Sequence, residues 1–278
     1  MIKRVFWMEW KKAFRNKYFY AVLMIGMLFS LMSTLYVYDV KTSSMAVSGN
    51  PEQQMMSLYS AWIGAEDMSM GYLLFFTLMP FLAMIPYGWS FCIERNSGYL
   101  RNVAIRCHKR TYLLIKYAVV FLSGGIVILI PLVCNLLVSS CLFPAYRPNI
   151  VYFSFFGIDR MTMWSELFYT MPVLYTVLFL LLDFLFSGLF ATLSYACSLF
   201  VHNRLAVLIL PYLAILVLHY SRKLMAYRVY KEISPIHFLH ASCIANPTVG
   251  GIVFVEGLLF ALVPLFGIWK VGINGEIY

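Results

Sequence analysis

The sequence predicts an all-α integral membrane protein with six transmembrane helices. Of its 278 residues, 62% are hydrophobic and only 12% are charged, whereas a soluble domain carries roughly 25% charged residues. Water could not solvate the surface that this composition would leave exposed, so hydrocarbon must surround much of the chain. Polar segments separate long apolar stretches along the whole sequence. We therefore expect a single transmembrane domain over residues 1–278.

The net charge of +9 is high enough to raise nucleic acid as a partner. A nucleic-acid binder needs a basic face on a water-soluble fold, but here Lys and Arg stand beside the apolar stretches. Basic segments that flank membrane spans explain the charge better. We therefore expect contacts with membrane lipids and no nucleic-acid partner.

The segment 1–17 has the pattern of an interfacial amphipathic helix, with an apolar side opposite a basic side. The residues that mark these two sides are Trp10 and Phe14 on the apolar side and Arg4, Lys11 and Arg15 on the basic side. Such a helix lies in the membrane interface, with its charges toward anionic headgroups or a cytosolic partner. A simple positive anchor for the first span is the alternative. No small-residue cleavage site closes the following apolar stretch, so we expect the first span to be retained.

Six apolar stretches are candidates for transmembrane helices. They lie at about 18–38, 72–93, 112–142, 171–201, 205–220 and 251–270. The second contains Pro80 and Pro86, which spanning helices tolerate where neighbouring groups satisfy the freed carbonyls. Residues 221–250 mix basic residues, prolines and modestly apolar stretches. This segment could dip into the bilayer where protein shields its backbone.

The distribution of Lys and Arg predicts the orientation of the chain. With six spans and a cytoplasmic N-terminus, 14 of the 21 Lys and Arg residues fall on the inner side and seven on the outer side. Cytoplasmic loops of membrane proteins carry such an excess of positive charge. Both termini are therefore predicted to be cytoplasmic.

Motifs for catalysis and for nucleotide binding are absent from the sequence. It contains no GxxxxGK[ST], no HExxH and no GxSxG, so we expect neither an enzyme nor a cofactor bound by this chain. The six cysteines form no CxxC pair. His237 and His240 stand three residues apart and could share a helical face as metal ligands, but a structural pair without metal is favoured.

Two acidic residues fall inside apolar stretches. Asp183 lies near the middle of the fourth stretch, where an ionised carboxylate costs a few kcal/mol. We expect it to face the bundle interior or a water-filled cavity, or to be protonated. It either lines a route for a substrate or cation, or forms a hydrogen bond between helices. Glu256 lies nearer the end of its stretch and could reach the interface.

The polar segment 94–111 follows the second span and carries five basic residues. It begins with Glu94, has Gly98 four residues later, and continues with a short helical pattern. That pattern places apolar residues on one side and basic residues elsewhere; its members include Leu100 and Val103 on the first side and Arg101 and Arg106 away from it. A short amphipathic cytosolic helix between two spans suits contact with a partner protein. A solvated positive loop is the alternative.

This layout resembles the membrane subunit of an ABC-2 type ATP-binding-cassette transporter. Those permeases have an N-terminal interfacial helix, six spans and a cytosolic coupling helix between the second and third spans. Their coupling region often reads as Glu, three residues, Gly, then Thr-Leu, with a basic residue entering the third span. Here Glu94, Gly98 and Leu100 match, Lys116 stands at the basic position, and Tyr99 replaces the usual Thr.

The resemblance implies a function, partners and sites. The chain would be a permease subunit in a bacterial cytoplasmic membrane, working with a second permease copy or a paralogue. Two copies of a separate ATPase subunit would bind ATP and Mg²⁺. The residues that would contact the ATPase are Glu94, Gly98, Leu100, Arg101, Val103 and Arg106. Residues 221–250 would form a re-entrant hairpin on the outer side.

Two alternative functions remain open. The chain could be a standalone membrane protein, such as an immunity or sensor protein, with no ATPase. It could also be an ion-coupled secondary transporter that uses Asp183 to carry a proton or cation.

Overall fold

The computed structural model describes residues 2–47, 56–100, 108–149, 158, 161–225, 231–242 and 246–274. Within these ranges all regular secondary structure is helical. Five helices are long and apolar enough to cross a membrane. The predicted all-α membrane fold is therefore confirmed for this part of the chain, which belongs to a multi-pass membrane protein.

Long helices alternate with short helical turns along the described chain. In order, they are α1 (Ile2–Phe14), α2 (Lys17–Val47), α3 (Leu58–Ala61), α4 (Met70–Met84), α5 (Ser90–Asn96), α6 (Lys109–Leu142), α7 (Ser165–Thr170), α8 (Pro172–Phe200), α9 (Arg204–Met225), α10 (Pro235–Phe238) and α11 (Gly250–Asn274). The five membrane-spanning candidates belong to α2, α6, α8, α9 and α11.

The second predicted span, 72–93, is not one continuous helix. Helix α4 ends at Met84, a series of turns follows, and α5 begins at Ser90. Pro86 lacks the N–H that would continue the helical ladder, and its carbonyl accepts a hydrogen bond from the Asn16 side chain at 3.0 Å. The 15 residues of α4 rise about 22 Å, less than the roughly 30 Å hydrocarbon core. A count of six spans therefore stays a prediction.

Close packing of α6 against α8 forms the centre of the bundle. Gly124 is the key residue, because an added Cβ there would overlap the Cβ of Ala191 and lie 3.0 Å from the Ala83 carbonyl oxygen. From the other helix, a Cβ on Gly188 would lie 2.7 Å from the Phe121 ring. Small residues at such crossings let helix backbones approach in the membrane, where dispersion contacts are a main source of association.

One end of the bundle, which we call the α3 end, is filled by the loop around α3. Trp62 and Ile63 are fully buried there. The Asn135 side chain of α6 accepts a hydrogen bond from the Ile63 amide at 2.8 Å. Ala241, which follows α10, donates its amide to the Gly64 carbonyl at 2.8 Å. The Ala241 carbonyl in turn accepts a hydrogen bond from the Tyr175 hydroxyl of α8 at 2.5 Å. Ala241 thus joins the segment after α10 to this loop and to α8.

Glu66 fastens this loop to the start of α4. Its carboxylate accepts hydrogen bonds from the Ser33 hydroxyl at 2.8 Å and from the amides of Met68 and Ser69 at 3.1 and 2.9 Å. The Ser69 hydroxyl caps α4 by accepting a bond from the Tyr72 amide at 3.0 Å. A carboxylate beside a helix N-terminus also interacts favourably with the helix dipole. The buried carboxyl group of Glu66 is therefore well supplied with hydrogen-bond donors from the protein.

Replacing Gly124 by alanine should loosen the α6–α8 crossing. The added methyl group overlaps Ala191, so the two helices must separate, at a cost of about 1–3 kcal/mol. We expect a clear fall in the midpoint of thermal unfolding in detergent. Gly251→Ala is the matched control, because a Cβ at Gly251 meets nothing within 4 Å. Equal midpoints for the two variants would contradict the packing described here.

Candidate functional site

Four charged side chains meet at the bundle end opposite the α3 end, which we call the α1 end. They are Glu9 and Lys12 from α1, Glu94 from α5 and Lys116 from α6. The two Glu and two Lys residues form what we call the ion-pair cluster. It joins α1 to α5 and α6, which follow much later in the sequence.

Each lysine of the cluster lies between both carboxylates. Lys12 Nζ is 2.9 Å from Glu9 Oε1 and 3.4 Å from Glu94 Oε1. Lys116 Nζ is 3.5 Å from Glu9 Oε2 and forms a close ion pair with Glu94 Oε2. The formal charges therefore cancel within the cluster.

Aromatic residues enclose the ion-pair cluster. Tyr87 donates its hydroxyl to Glu9 Oε2 at 2.7 Å, and Tyr112 donates to Glu94 Oε2 at 2.5 Å. The Lys116 ammonium also lies over the Tyr87 ring, 5.3 Å from its centroid. A cation over an aromatic face is attracted by the ring quadrupole, more strongly when water is excluded. The tyrosines thus replace the hydration that these charges lose on burial.

Because the side chains of the cluster are largely buried, each charge needs an oppositely charged partner. The side chains of Glu9 and Lys116 are 0% exposed, whereas Glu94 is 12% and Lys12 is 37% exposed. Burial by itself raises the pKa of the Glu9 carboxyl, but Lys116, Lys12 and the bonds from Lys12 and Tyr87 hold its pKa below the ordinary value. Burial likewise opposes the charge of Lys12, but Glu94 and Glu9 hold the pKa of Lys12 above its ordinary value. The pairing therefore favours the charged forms of Glu9 and Lys12.

The pattern of α1 explains why Glu9 is buried. Residues four apart share one side of a helix, and Val5, Glu9 and Ala13 make such a stripe. Ala13 is fully buried among the apolar residues of the α1 end. The stripe therefore packs against the bundle and carries Glu9 with it. An aromatic row follows along the same helix, with the Trp10 and Phe14 rings 4.1 Å apart.

Helix α5 is also attached to the turn between α8 and α9. Arg95 donates to the Leu199 carbonyl at 2.6 Å, which satisfies a group at the C-terminus of α8. Asn96 donates to the His202 carbonyl at 3.1 Å, and the Cys92 thiol approaches the same oxygen at 2.9 Å. A displacement of α5 would therefore act on α1, α6 and the α8–α9 turn together.

The predicted ATPase-contact residues that the structure describes lie in or beside the ion-pair cluster. Glu94 is a member of the ion-pair cluster. Gly98 has φ +72° and ends the helical turn after α5, a left-handed conformation that glycine adopts without strain. Leu100 is buried in the apolar cluster of the α1 end. The other three predicted residues, Arg101, Val103 and Arg106, lie outside the described residues.

The residues predicted to mark the two sides of the interfacial helix differ in their exposure to solvent. Arg4, Lys11 and Arg15 are exposed, whereas Trp10 and Phe14 are partly buried. The apolar side of α1 therefore packs on the bundle, and its basic side is free to meet lipid headgroups or a partner. The sequence interpretation missed the role of Glu9, although a lone acidic residue in the middle of an apolar stripe was a usable signal.

Asp183 and Glu256 lie inside the bundle. Asp183 is 0% exposed, and neither of its carboxyl oxygens has a hydrogen-bond partner among the described residues. Glu256 is 8% exposed, and its Oε2 has no such partner in the same part of the chain. Glu9 and Glu66, by contrast, are held by lysine side chains and by backbone amides, respectively.

His237 and His240 contact different groups and do not converge on one site. The His240 ring lies 4.2 Å from the Tyr72 ring, and its Nε2 is 2.8 Å from the Glu66 carbonyl oxygen. Burial lowers the pKa of His240 to about 3, so the ring is neutral at pH 7 and donates one N–H to that carbonyl. His237 instead stacks on His219 at 5.0 Å. The arrangement favours structural roles for both histidines.

Comparisons of the chain with protein-family models, curated proteins and solved structures find no match. The fold and the site define the class of the protein as a multi-pass membrane protein with a buried, charge-balanced cluster at one end of its bundle.

Removing one charge from the ion-pair cluster should destabilise the protein strongly. Lys116→Gln leaves two carboxylates facing only Lys12, and losing one partner of a buried ion pair costs about 3–5 kcal/mol. We expect the thermal midpoint in detergent to fall well below that of Lys3→Gln, which removes an exposed charge from α1.

The double variant Glu9→Gln/Lys116→Gln should recover part of this loss, because one Glu and one Lys then remain paired. Coupling energies between residues in contact are about 0.5–3 kcal/mol. Strictly additive effects of the two substitutions would show that the cluster does not act as a unit.

Proposed function

We propose that this chain is the membrane-spanning permease subunit of an ABC-2 type exporter. It moves a substrate across the cytoplasmic membrane by alternating access that a separate ATPase subunit drives. The single observation that carries this proposal is the position of Glu94, which joins the start of the 94–111 segment to α1 and α6 through ion pairs with Lys12 and Lys116.

A transporter driven by a separate ATPase needs a stiff connection between the partner's contact surface and the spans. Here a force applied to the 94–111 segment reaches α1 through Lys12 and α6 through Lys116. It reaches the α8–α9 turn through Arg95 and Asn96. Such links transmit displacement because packed interiors are poorly compressible.

The proposal includes an orientation and an assembly. Both termini and the α1 end face the cytoplasm, in line with the excess of Lys and Arg in the corresponding segments, and α4 with α5 supplies the second of six spans. Two copies of the ATPase bind ATP and Mg²⁺, and a second permease copy or a paralogue completes the pathway. In this assembly the exposed basic side of α1 faces lipid headgroups or the ATPase.

An ion-coupled secondary transporter is the second candidate, and Asp183 is the observation in its favour. A buried carboxyl group without a hydrogen-bond partner among the described residues is the kind of group that transporters use to bind protons or cations. This candidate requires transport that follows an ion gradient, survives ATP depletion and is lost in Asp183→Asn. The permease proposal requires transport that stops on ATP depletion.

Charge reversal in the 94–111 segment should separate the chain from its ATPase. A tagged chain purified from its native membrane in mild detergent should carry a co-eluting protein with a GxxxxGK[ST] motif, identified by mass spectrometry. Arg101→Glu and Arg106→Glu should insert normally but lose at least about 90% of that protein, because like charges across an interface cost several kcal/mol.

Lys231→Glu is the matched control, since this exposed residue directly precedes the segment that packs at the α3 end. It should retain the ATPase fully. Purification of the wild-type chain alone, or an undiminished ATPase in both reversal variants, would exclude the proposed coupling and favour a standalone protein or an ion-driven transporter.

A further inference from the structure

An open apolar groove of about 570 Å³ runs along the outside of the bundle. Helix α8 forms its floor, with Ala196 and Cys197, and α9 and α11 form its walls. Ala214 lines one wall and Val263 the other. All three helices are long and apolar enough to cross a membrane.

A proline and several small residues create this groove. Pro211 lies within α9 and also lines the groove. Proline removes one helical hydrogen bond and bends the helix. The carbonyl that it frees, that of Val207, accepts a bond from the Ser194 hydroxyl at 3.2 Å. Gly267 brings α11 close to α8, since an added Cβ there would lie 3.2 Å from Leu199. These contacts hold α9 and α11 against α8, and the groove remains between the two helices.

Lys270 lies at one end of the groove. It is exposed, and no carboxylate of the described residues lies within ion-pair distance of it. Its neighbour Ile268 is buried at the α1 end. From Phe260 to Lys270 the helix rises about 15 Å, which is half of the roughly 30 Å hydrocarbon core. The groove therefore extends from the α1 end through the depth of about one leaflet.

We propose that the groove binds one acyl chain of an anionic phospholipid from the leaflet at the α1 end, with the lipid phosphate paired to Lys270. The apolar lining matches the acyl chain, and the lysine matches the charge of the headgroup. A lysine near the membrane surface gains about 1 kcal/mol from anionic lipid. A second copy of the chain fits less well, because an apolar subunit interface would desolvate Lys270 without supplying a partner. This proposal is independent of any ATPase.

The test uses the purified, delipidated chain titrated with phosphatidylglycerol and phosphatidylcholine of identical acyl chains. Native mass spectrometry measures the bound lipid. We expect one tightly bound phosphatidylglycerol, preferred over phosphatidylcholine by about five-fold. Lys270→Gln should abolish this preference. Lys17→Gln, which removes an exposed lysine at the start of α2 outside the groove, should keep it.

Filling the groove tests the position of the acyl chain. Ala214→Trp should weaken the binding of both lipids at least ten-fold, whereas Leu213→Trp, at an exposed position of the same helix outside the groove, should not. Equal binding of the two lipids to the wild-type chain, or unchanged binding to Ala214→Trp, would overturn the proposal. A dimer that Ala214→Trp converts to monomers without loss of lipid would also overturn it and assign the groove to a subunit interface.

Discussion

The mutual neutralisation of four charges at the α1 end is the constraint on which the arrangement of the surrounding helices depends. Glu9 and Lys116 are completely removed from solvent, and an isolated buried charge is far too costly to persist. Each is tolerated only because the other, with Lys12 and Glu94, lies within ion-pair distance. The N-terminal helix, α5 and the start of α6 therefore have to stay together, although 82 residues separate Lys12 from Glu94.

Acidic side chains at the two ends of the bundle are held by different kinds of partner. At the α3 end, Glu66 is held by two hydroxyls and two amides, all of them on its own loop or on neighbouring α2. That arrangement is mostly local and fixes a loop. At the α1 end, the carboxylates are held by lysines and tyrosines from separate segments of the chain. That arrangement is non-local, so it connects elements that could otherwise move apart.

The sequence predicts the long helices well, because runs of apolar residues at spanning length leave a helix as the main way to satisfy the backbone in hydrocarbon. It does not predict the break at 85–89, because Pro86 is compatible with a continuous spanning helix and the bond from Asn16 to the Pro86 carbonyl is visible only in the fold. Glu94 and Lys116 were identified through a family resemblance. Glu9 and Tyr87, which complete the cluster, were missed because pairing across some 78 residues leaves no periodicity in the sequence. The apolar surroundings of Asp183 can be read from the sequence, but its lack of hydrogen-bond partners among the described residues is visible only in three dimensions.

Burial also determines which parts of the α1 end can move relative to each other. Separating α1, α5 and α6 would strand Glu9 or Lys116 in an apolar environment, so any displacement within the folded state must carry all three together. Residues 85–89, between α4 and α5, belong to the same unit, because the Tyr87 hydroxyl donates to Glu9 Oε2 at 2.7 Å and the Pro86 carbonyl accepts a bond from Asn16 of the α1–α2 turn at 3.0 Å. Since Lys116 and Gly124 lie on the same helix, the ion-pair cluster is also tied to the tightly packed crossing of α6 with α8.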